Sequence, residues 1–498
     1  MTLPRGENQH PWLDYRRGAL APSLVTIIFV LSRLLYYRVG IRFQGDTYLT
    51  FWQFISPDLL TVNIWRSILY LHSQPPLMNL FTGLTLILFP SNHALIFQGT
   101  FVLIGFLTAL SMYFLGVSLG LPRWPVALVT IWFAISPPTI LYENWFFYTY
   151  PLTAVLSLCC LSLFFLLRTK NRLVSFLLFL PMLVLPLTWS LFHLVWLLSV
   201  SLLLFIFSQD RRRILAISII PILVVSAWYV KNEVLFKEFT SSSWAGMNFA
   251  KISTFRLQAS ARRILVQDHS LSPLALQEPF SDPGTYVKLL PPSPTTGNPL
   301  LDRIEKPNGT PNMNHIVFIA ASRLYLKDAL WLVRSEPSVY IQGIERALYC
   351  YFHSSSDNVF LDENSSRIST LVNVWNAVFY GQIRIGEDVF AYLRPGAPYY
   401  PDAVAWLVVI VFVCAVPLGL FVLVRQWQTL SEPTRLTLLF IWFNIVYVTA
   451  VGTLFDLGEN NRFRYVIDPS MYTLAFWAVF RLLHPMKDGI VKSAIVKS

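Results

Sequence analysis

Charged residues are scarce in this chain. Only 13% of its 498 residues are Asp, Glu, Lys or Arg, about half the share found in soluble globular domains. By contrast, 55% of the residues are hydrophobic and 15% are aromatic. Trp and Tyr concentrate at membrane–water interfaces, so this aromatic content suits a chain embedded in a bilayer. The composition excludes a soluble globular protein and predicts an integral membrane protein.

The chain has only four cysteines. Cys159 and Cys160 share one apolar run, Cys414 lies in another and Cys350 stands alone, so no disulfide framework is expected. No cleaved signal peptide is expected either, because the apolar run after Arg16 and Arg17 lacks a small-residue cleavage pattern. An endoplasmic-reticulum retrieval signal is also missing, which favours a bacterial cytoplasmic membrane.

Apolar runs of about 17 to 25 residues predict membrane-spanning helices. Ten candidates are found, at 18–37, 94–118, 122–140, 147–167, 173–188, 190–208, 214–230, 402–424, 436–454 and 465–483. The stretch 173–209 is long enough for one helix. However, basic residues flank both of its ends, and cytoplasmic loops carry the Lys/Arg excess, so we expect two spans with an outer hairpin. The expected fold is an all-α polytopic membrane protein with about ten transmembrane helices.

The net charge of +11 is expected on one side of the membrane. With ten spans, the basic segments around Arg123, 168–172, 210–213, 425–435 and the two termini all face the cytoplasm. The outer segments are close to charge balance. Net basicity therefore reflects topology, and nucleic acid is not an expected partner.

Three regions follow from this pattern. Residues 1–230 form an N-terminal transmembrane module, in which 45–90 supply juxtamembrane helices of the first outer loop. Residues 231–401 form a large mixed outer domain, and 402–498 form the last transmembrane helices with a short cytoplasmic tail. Within the outer domain, 271–311 are rich in Pro, Ser, Gly and Asn and predict a long mobile loop. Residues 313–352 predict helix, broken at Ser335-Glu336-Pro337.

Polar side chains are sparse inside the predicted spans and are concentrated at the predicted outer rim. They are Asp46, Asp58, His72, Gln74, Glu143, Lys231, Asp456, Glu459, Arg462, Arg464 and Asp468. A transporter usually places such groups near the membrane midplane. Six outer arginines, Arg33, Arg38, Arg42, Arg66, Arg462 and Arg464, run against the positive-inside tendency. A phosphate ligand explains them, because the guanidinium fork matches phosphate oxygens.

Several outer motifs, in this order and placement, resemble landmarks of the GT-C membrane glycosyltransferases. The likeness is nearest to the family 39-like group of protein mannosyltransferases and aminoarabinose transferases. The motifs are GDTY at 45–48, HSQPPL at 72–77, SPPTILYENWFFY at 136–148, KNEVLFKEFTSSSWAGMNF at 231–249 and ENNRFRYVIDPSMY at 459–472. The resemblance implies a GT-C fold and an enzyme that moves a sugar from polyprenyl phosphate to an acceptor hydroxyl.

The resemblance also implies roles for particular residues. Asp46 matches the catalytic carboxylate of the first outer loop, which acts as general base on the acceptor while the sugar transfers with inversion. Glu143 matches a second acidic position where Asp is more usual, and it could contact substrate, metal or backbone. The remaining matched positions are expected to bind substrate or phosphate: His72, Gln74, Lys231, Asn232, Glu459, Arg462 and Arg464. Gln74 stands where the group commonly has His or Lys, so its phosphate contact would lack charge.

Each of these residues also has a purely structural interpretation. Asp46 is a favoured N-cap residue for a helix starting near Thr47. Glu143 could belong to a solvated loop, His72 could be interfacial, and Lys231-Asn232 could mark a helix end. Arg462 and Arg464 could be interfacial anchors. No metal or other cofactor is assigned, although Asp46 and Glu143 could share a divalent metal.

The expected partners are a polyprenyl-phosphate-linked sugar, membrane lipids and an acceptor that is a protein, a lipid or a glycan. Three other functions remain open. A lipid-linked-glycan flippase needs no essential base, and a scaffold of an envelope-assembly complex tolerates loss of Asp46. A polymerase or ligase would use a diphosphate-linked glycan instead of a monophosphate donor.

Overall fold

The structure is a computed structural model that describes residues 19–380 and 406–485. Within these ranges the chain is helical and has no β-strand, only isolated bridges between Gln44 and Trp145 and between Glu305 and Pro311. This confirms the expected all-α membrane protein class. The predicted domain boundary at 401 and both predicted cytoplasmic termini lie outside the described residues.

Residues 19–236, the described N-terminal part, contain thirteen α-helices. They are α1 Leu20–Arg38, α2 Thr47–Thr50, α3 Pro57–Val62, α4 Ile64–Leu69, α5 Leu77–Leu88, α6 His93–Ser118, α7 Arg123–Ile135, α8 Pro137–Glu143, α9 Thr149–Arg168, α10 Arg172–Phe179, α11 Pro181–Thr188, α12 Leu194–Phe207 and α13 Arg211–Phe236. Helices α2 to α5 lie in the segment expected to form juxtamembrane helices. Helix α13 runs six residues past the predicted span end at 230.

The outer segment and the C-terminal part supply the remaining helices. They are α14 Ala245–Ile252, α15 Ala259–Gln267, α16 Pro283–Leu289, α17 Pro299–Asp302, α18 Val317–Ser335, α19 Pro337–Phe352, α20 Asp362–Arg367, α21 Ser369–Trp375, α22 Trp406–Val413, α23 Gly419–Arg425, α24 Glu432–Phe455 and α25 Asn460–Leu483. The predicted break at Ser335-Glu336-Pro337 is confirmed, since it separates α18 from α19. The loop expected at 271–311 contains a 3₁₀ turn and helices α16 and α17.

Seven of the described helices are long and apolar enough to cross a membrane. They are α1, α6, α9, α13, the α22–α23 segment Leu407–Arg425, α24 and α25. An eighth crossing is added if α7 and α8 count as one span bent by 56°. Pro137 and Pro138 explain this bend, because Ser136 before them is held extended. The apolar segments Arg172–Thr188 and Leu194–Phe207 are shorter, so the total of ten spans stays a prediction.

The turns between these helices meet at two opposite ends of the bundle. At the end that we call the basic end, Arg213 donates to the Thr169 carbonyl, and Ser208 Oγ donates to Glu432 over 2.9 Å. At the other end, which we call the loop end, Gln44 pairs with Trp145 and the backbone of His72 bonds to Asn314. Contacts within each end therefore agree with the predicted division of basic and neutral segments.

The outer segment builds its own small core on the loop end of the bundle. Trp244, Met247, Phe255, Tyr286 and Tyr325 are buried together there. Helix α14 approaches α18 so closely that a side chain at Gly246 would overlap the Ser322 carbonyl oxygen. Glycine permits this contact, which fixes the position of α14 against α18.

Candidate functional site

A cavity of about 460 Å³ opens at the loop end of the bundle. Several parts of the chain line it: residues 51–53 and Gln74 of the first outer loop, the helix ends at 148 and 189–190, helix α14 with residues 255–256, residues 278–280, Phe360 and the turn 456–463. The cavity therefore lies where the first and last transmembrane motifs meet the outer domain.

Nine of the 22 residues that line the cavity are aromatic. They are Phe51, Trp52, Tyr148, Trp189, Trp244, Phe255, Phe280, Phe360 and Phe463. Many contact one another, as Phe51 does with Phe360 at 4.6 Å and Trp189 with Phe463 at 4.9 Å between ring centroids. Mutually packed rings lose little entropy on ligand binding, and their flat faces suit the C–H faces of sugar rings.

Charged side chains are paired within the same wall. Lys251 Nζ lies 2.6 Å from Asp456 Oδ1, and Arg462 Nη2 lies 2.5 Å from Glu459 Oε2. Burial raises the pKa of Asp456, an effect that Lys251 opposes. Arg256 and Glu278 add one further charge of each sign. The wall thus offers cations for an anionic ligand without a net charge of its own.

Within residues 19–380 and 406–485, several buried polar atoms of the wall have no hydrogen-bond partner. Among them are Gln53 Oε1, Gln74 Oε1, Trp244 Nε1 and Arg462 Nε. Buried polar groups in folded proteins nearly always find a partner, so several orphans around one cavity indicate a polar ligand. The set offers both acceptors and donors, as a polyhydroxylated ligand would require.

Asp46 does not line this cavity. It is exposed, precedes the single turn α2 and makes no capping hydrogen bond with its side chain. The same segment reaches the cavity wall a turn later, at Phe51, Trp52 and Gln53. The structure therefore places the Asp46 carboxylate at the solvent side of the segment that enters the site.

Glu143 also lies away from the cavity wall, and it is almost fully buried. Arg33 binds both of its carboxylate oxygens, at 2.9 and 2.6 Å, and Tyr150 donates to one of them over 2.6 Å. Gly105 leaves room for the cluster, since a side chain there would overlap Tyr150 Oη and Glu143 Oε2. These contacts make Glu143 part of a helix-packing cluster that includes the outer arginine Arg33.

The two late arginines have different surroundings. Arg462 lines the cavity, where it donates to Thr149 over 3.1 Å and lies near the rings of Phe147, Tyr148, Trp189 and Phe463. Arg464 is fully buried and donates to the carbonyls of Tyr351 and His353 at the end of α19. It thereby satisfies carbonyls that the helix leaves unpaired. Arg462 alone of the pair is available to a ligand in the cavity.

Residues of the HSQPPL motif have two different roles: one packs in the fold and another lines the cavity. His72 is buried, with Nδ1 2.7 Å from Ser243 Oγ and Nε2 2.9 Å from the Asn314 carbonyl. Because a carbonyl only accepts, Nε2 bears the proton and Nδ1 accepts from the serine. Burial lowers the pKa of His72 to about 3. His72 thus joins the first outer loop to the outer domain, whereas Gln74 lines the cavity.

Lys231 and Asn232 lie within helix α13 and do not line the cavity. Lys231 Nζ donates to the Leu71 carbonyl over 2.5 Å and lies 3.5 Å from the Trp228 ring centroid. Asn232 donates to the Thr240 carbonyl over 2.7 Å. Both side chains hold the connection into the outer domain.

The sequence interpretation missed two groups of the wall. Lys251 was not singled out, and Asp456 was recognised only as a rim residue. One signal was present, since Trp244, Asn248 and Lys251 are spaced to share one helical face. A face bearing a ring, an amide and a cation is unusual for packing alone.

Among residues 19–380 and 406–485, no group of three or more His, Cys, Asp or Glu side chains could hold a metal ion. Asp46 and Glu143, which were expected to share a metal if one is used, have different surroundings: one is exposed and the other is buried against Arg33.

Comparison of the chain with protein-family models found no match, and comparison with curated proteins found none.

Proposed function

We propose that the chain is a GT-C-type membrane glycosyltransferase that moves a sugar from a polyprenyl-phosphate donor to an acceptor hydroxyl at the outer membrane face. One observation supports this most strongly. A single cavity at the loop end combines aromatic rings, the cations Lys251 and Arg462 and several unpartnered polar atoms. Rings and amides suit the sugar, and the cations suit the departing phosphate.

The proposed topology has ten spans. Arg172–Thr188 and Leu194–Phe207 count as two short crossings, joined at Trp189 and Ser190, which lie at the loop end in the cavity wall. The bent pair α7 and α8 counts as another. The loop end then faces the outside of a bacterial cytoplasmic membrane and the basic end faces the cytoplasm.

An apolar groove beside the bundle supports a lipid-linked donor. It measures about 860 Å³ and lies between α1, the end of α7 and helix α21. Its wall includes Leu31, Leu35 and Trp132 from the membrane helices and Arg367 from the outer segment. A polyprenyl chain fits such a groove, because its tail stays in the hydrocarbon layer while its phosphate reaches the outer surface.

In the proposed reaction, the acceptor oxygen attacks the anomeric carbon from the face opposite the phosphate. The bond between that carbon and the phosphate oxygen breaks, which inverts the configuration and releases polyprenyl phosphate. Asp46, on the segment that reaches the cavity at Phe51, takes the acceptor proton; because its carboxylate does not line the cavity, this step requires that segment to move towards the donor. Arg462 and Lys251 steady the charge that develops on the phosphate.

The test uses purified protein in lipid nanodiscs with a panel of polyprenyl-monophosphate sugars. The sugars are chosen by mass spectrometry of the lipid-linked sugars that accumulate when the protein is removed from cells. We expect transfer by the wild type and a loss of at least about 100-fold for Asp46→Asn, since general bases contribute about 10²–10⁴-fold.

Three results would contradict the proposal. Transfer only from a diphosphate-linked oligosaccharide would indicate a polymerase or ligase. Movement of an unchanged lipid-linked glycan across the bilayer, unaffected by Asp46→Asn, would indicate a flippase. Unchanged product levels in cells expressing Asp46→Asn would indicate a scaffold.

A further inference from the structure

Lys251 and Asp456 suggest how the cavity admits a phosphate. Resting on the proposed function, we propose that Lys251 is a phosphate-binding residue of the donor site and that the donor phosphate displaces Asp456 from it. Asp456 then acts as a competing anion that holds Lys251 in place until the donor arrives.

Lys251 is the more exposed of the two paired cations. Its side chain is 29% exposed and contacts the Asp456 carboxylate and, at 5.8 Å, the Phe280 ring. Arg462 is only 3% exposed and is held by Glu459, Thr149 and neighbouring aromatic rings. A lysine ammonium on a flexible four-carbon chain changes partners with little rearrangement, whereas a packed guanidinium does not.

Asp456 is placed to release its partner. Its Oδ1 atom also accepts a hydrogen bond from the Leu457 backbone N–H over 2.7 Å, so the carboxylate keeps a donor after Lys251 moves. The donor phosphate is a diester with two non-bridging oxygens and one negative charge, so it can replace a carboxylate as the partner of a lysine. The exchange therefore replaces one ion pair by another, and the Asp456 carboxylate, which loses its cation, keeps the Leu457 N–H as a hydrogen-bond donor.

The spacing along α14 indicates which part of the donor reaches Lys251. Trp244, Asn248 and Lys251 all line the cavity from the same side of this helix. At a rise of about 1.5 Å per residue, Trp244 and Lys251 are separated by about 10 Å along the axis. A sugar ring against Trp244, with a hydroxyl bonded to Asn248, places an attached phosphate near Lys251.

The experiment measures binding of undecaprenyl monophosphate, without a sugar, to the full chain in phosphatidylcholine nanodiscs. We expect the dissociation constant to rise about tenfold or more in Lys251→Ala, which removes a charged phosphate contact. We expect it to fall about threefold in Asp456→Asn, because the competing anion is removed. An Arg323→Ala control breaks the Arg323–Glu238 pair, which does not line the cavity, and should bind like wild type.

The opposite changes expected for the dissociation constants of the two variants distinguish exchange of the Lys251 partner from a purely structural ion pair. A structural pair predicts weaker binding in both variants, and that result, or no change in either, would overturn the inference. Misfolding cannot imitate tighter binding by Asp456→Asn. Inorganic phosphate should compete with undecaprenyl monophosphate most strongly in Asp456→Asn, less in the wild type and least in Lys251→Ala. Equal competition in Lys251→Ala and the wild type would also overturn the assignment.

This outcome is distinguishable from failure of the proposed function. If the dissociation constant rises in Lys251→Ala and falls in Asp456→Asn but the protein transfers no sugar, the phosphate site is supported and the proposed transferase function is contradicted. If the wild type transfers sugar but Lys251→Ala and Asp456→Asn bind undecaprenyl monophosphate with the wild-type dissociation constant, only the proposed role of Lys251 is contradicted. Absence of polyprenyl-phosphate binding by the wild type would overturn the inference.

Discussion

At the scale of single residues, acidic side chains that the sequence places at the same outer rim have different physical situations. Asp46 is exposed without a capping contact, Glu143 is enclosed by Arg33 and Tyr150, and Asp456 shares the cavity with Lys251. A buried carboxylate with two strong donors is held by its partners and is not free to accept a proton from a substrate. The proton acceptor of the proposed reaction is therefore expected to be Asp46, whereas Glu143 serves helix packing.

Replacing Glu143 tests this distinction. Glu143→Gln leaves the Arg33 guanidinium without its carboxylate, and breaking a buried pair in this way costs about 3–5 kcal/mol. We expect a loss of that order in the free energy of unfolding, measured by denaturant titration in detergent micelles.

The matched control is Asp58→Asn, which breaks the exposed Arg303–Asp58 pair. Exposed pairs contribute about 0–1 kcal/mol, so the control should remain close to wild type. If Glu143→Gln is as stable as wild type but abolishes sugar transfer, Glu143 contacts the substrate after all.

At the scale of elements, the outer domain is attached to the first outer loop by a small polar joint. His72 bonds to Ser243 and Asn314, Ser242 donates to the Ser73 carbonyl, and Lys306 donates to the Phe51 carbonyl over 2.9 Å. These bonds bring α14 and residues 51–53 to the same cavity. The geometry of the site therefore depends on a joint whose residues are far apart in sequence.

The joint predicts a dependence of stability on pH. Burial lowers the pKa of His72 from 6.5 to about 3, so the unfolded chain binds this proton at a higher pH than the folded chain. His72 thus contributes stability above pH 6.5 that is lost as pH falls from 6.5 towards 3. At pH 5 the loss is about 2 kcal/mol relative to pH 7.

Denaturant titrations at pH 7 and pH 5 measure this effect. His72→Gln lacks the titrating group, so its free energy of unfolding should fall less between the two pH values than that of the wild type. His269→Asn alters an exposed histidine and should keep the wild-type difference. An unchanged difference in His72→Gln would show that His72 is not the responsible group.

At the scale of the whole molecule, the distribution of charge follows the two ends of the bundle. The turns near 169, 208–213 and 432 meet at the basic end, and the cavity lies at the opposite end. Positive residues are retained on the cytoplasmic side during insertion, so the basic end is expected inside. The cavity would then draw its lipid donor from the outer leaflet.

Cysteine labelling in intact cells tests this orientation. The native cysteines give little background, because Cys159, Cys160 and Cys350 are buried and Cys414 is partly buried. We expect a membrane-impermeant maleimide to modify Asp268→Cys in intact spheroplasts. Gln428→Cys, in a turn of the basic end, should react only after permeabilisation. The reverse pattern would invert the topology and place the cavity in the cytoplasm.

The sequence by itself determined the membrane class, the helical fold and the break between α18 and α19. Apolar runs and prolines act over a few neighbouring residues, so they can be interpreted without a partner. It also indicated the cavity residues Gln74, Glu459 and Arg462, because these lie in motifs at helix ends. The number of crossings was less certain, because Arg172–Thr188 and Leu194–Phe207 are short for a span.

Only the tertiary structure decided which polar residues share a site. Arg462 and Arg464 are two positions apart on α25, yet one faces the cavity and the other closes the end of α19. Lys251 and Asp456 are separated by 205 residues, and no local pattern predicts that their side chains meet. Long-range packing sets the environment of a charge, and that environment decides whether the charge binds a ligand or stabilises the fold.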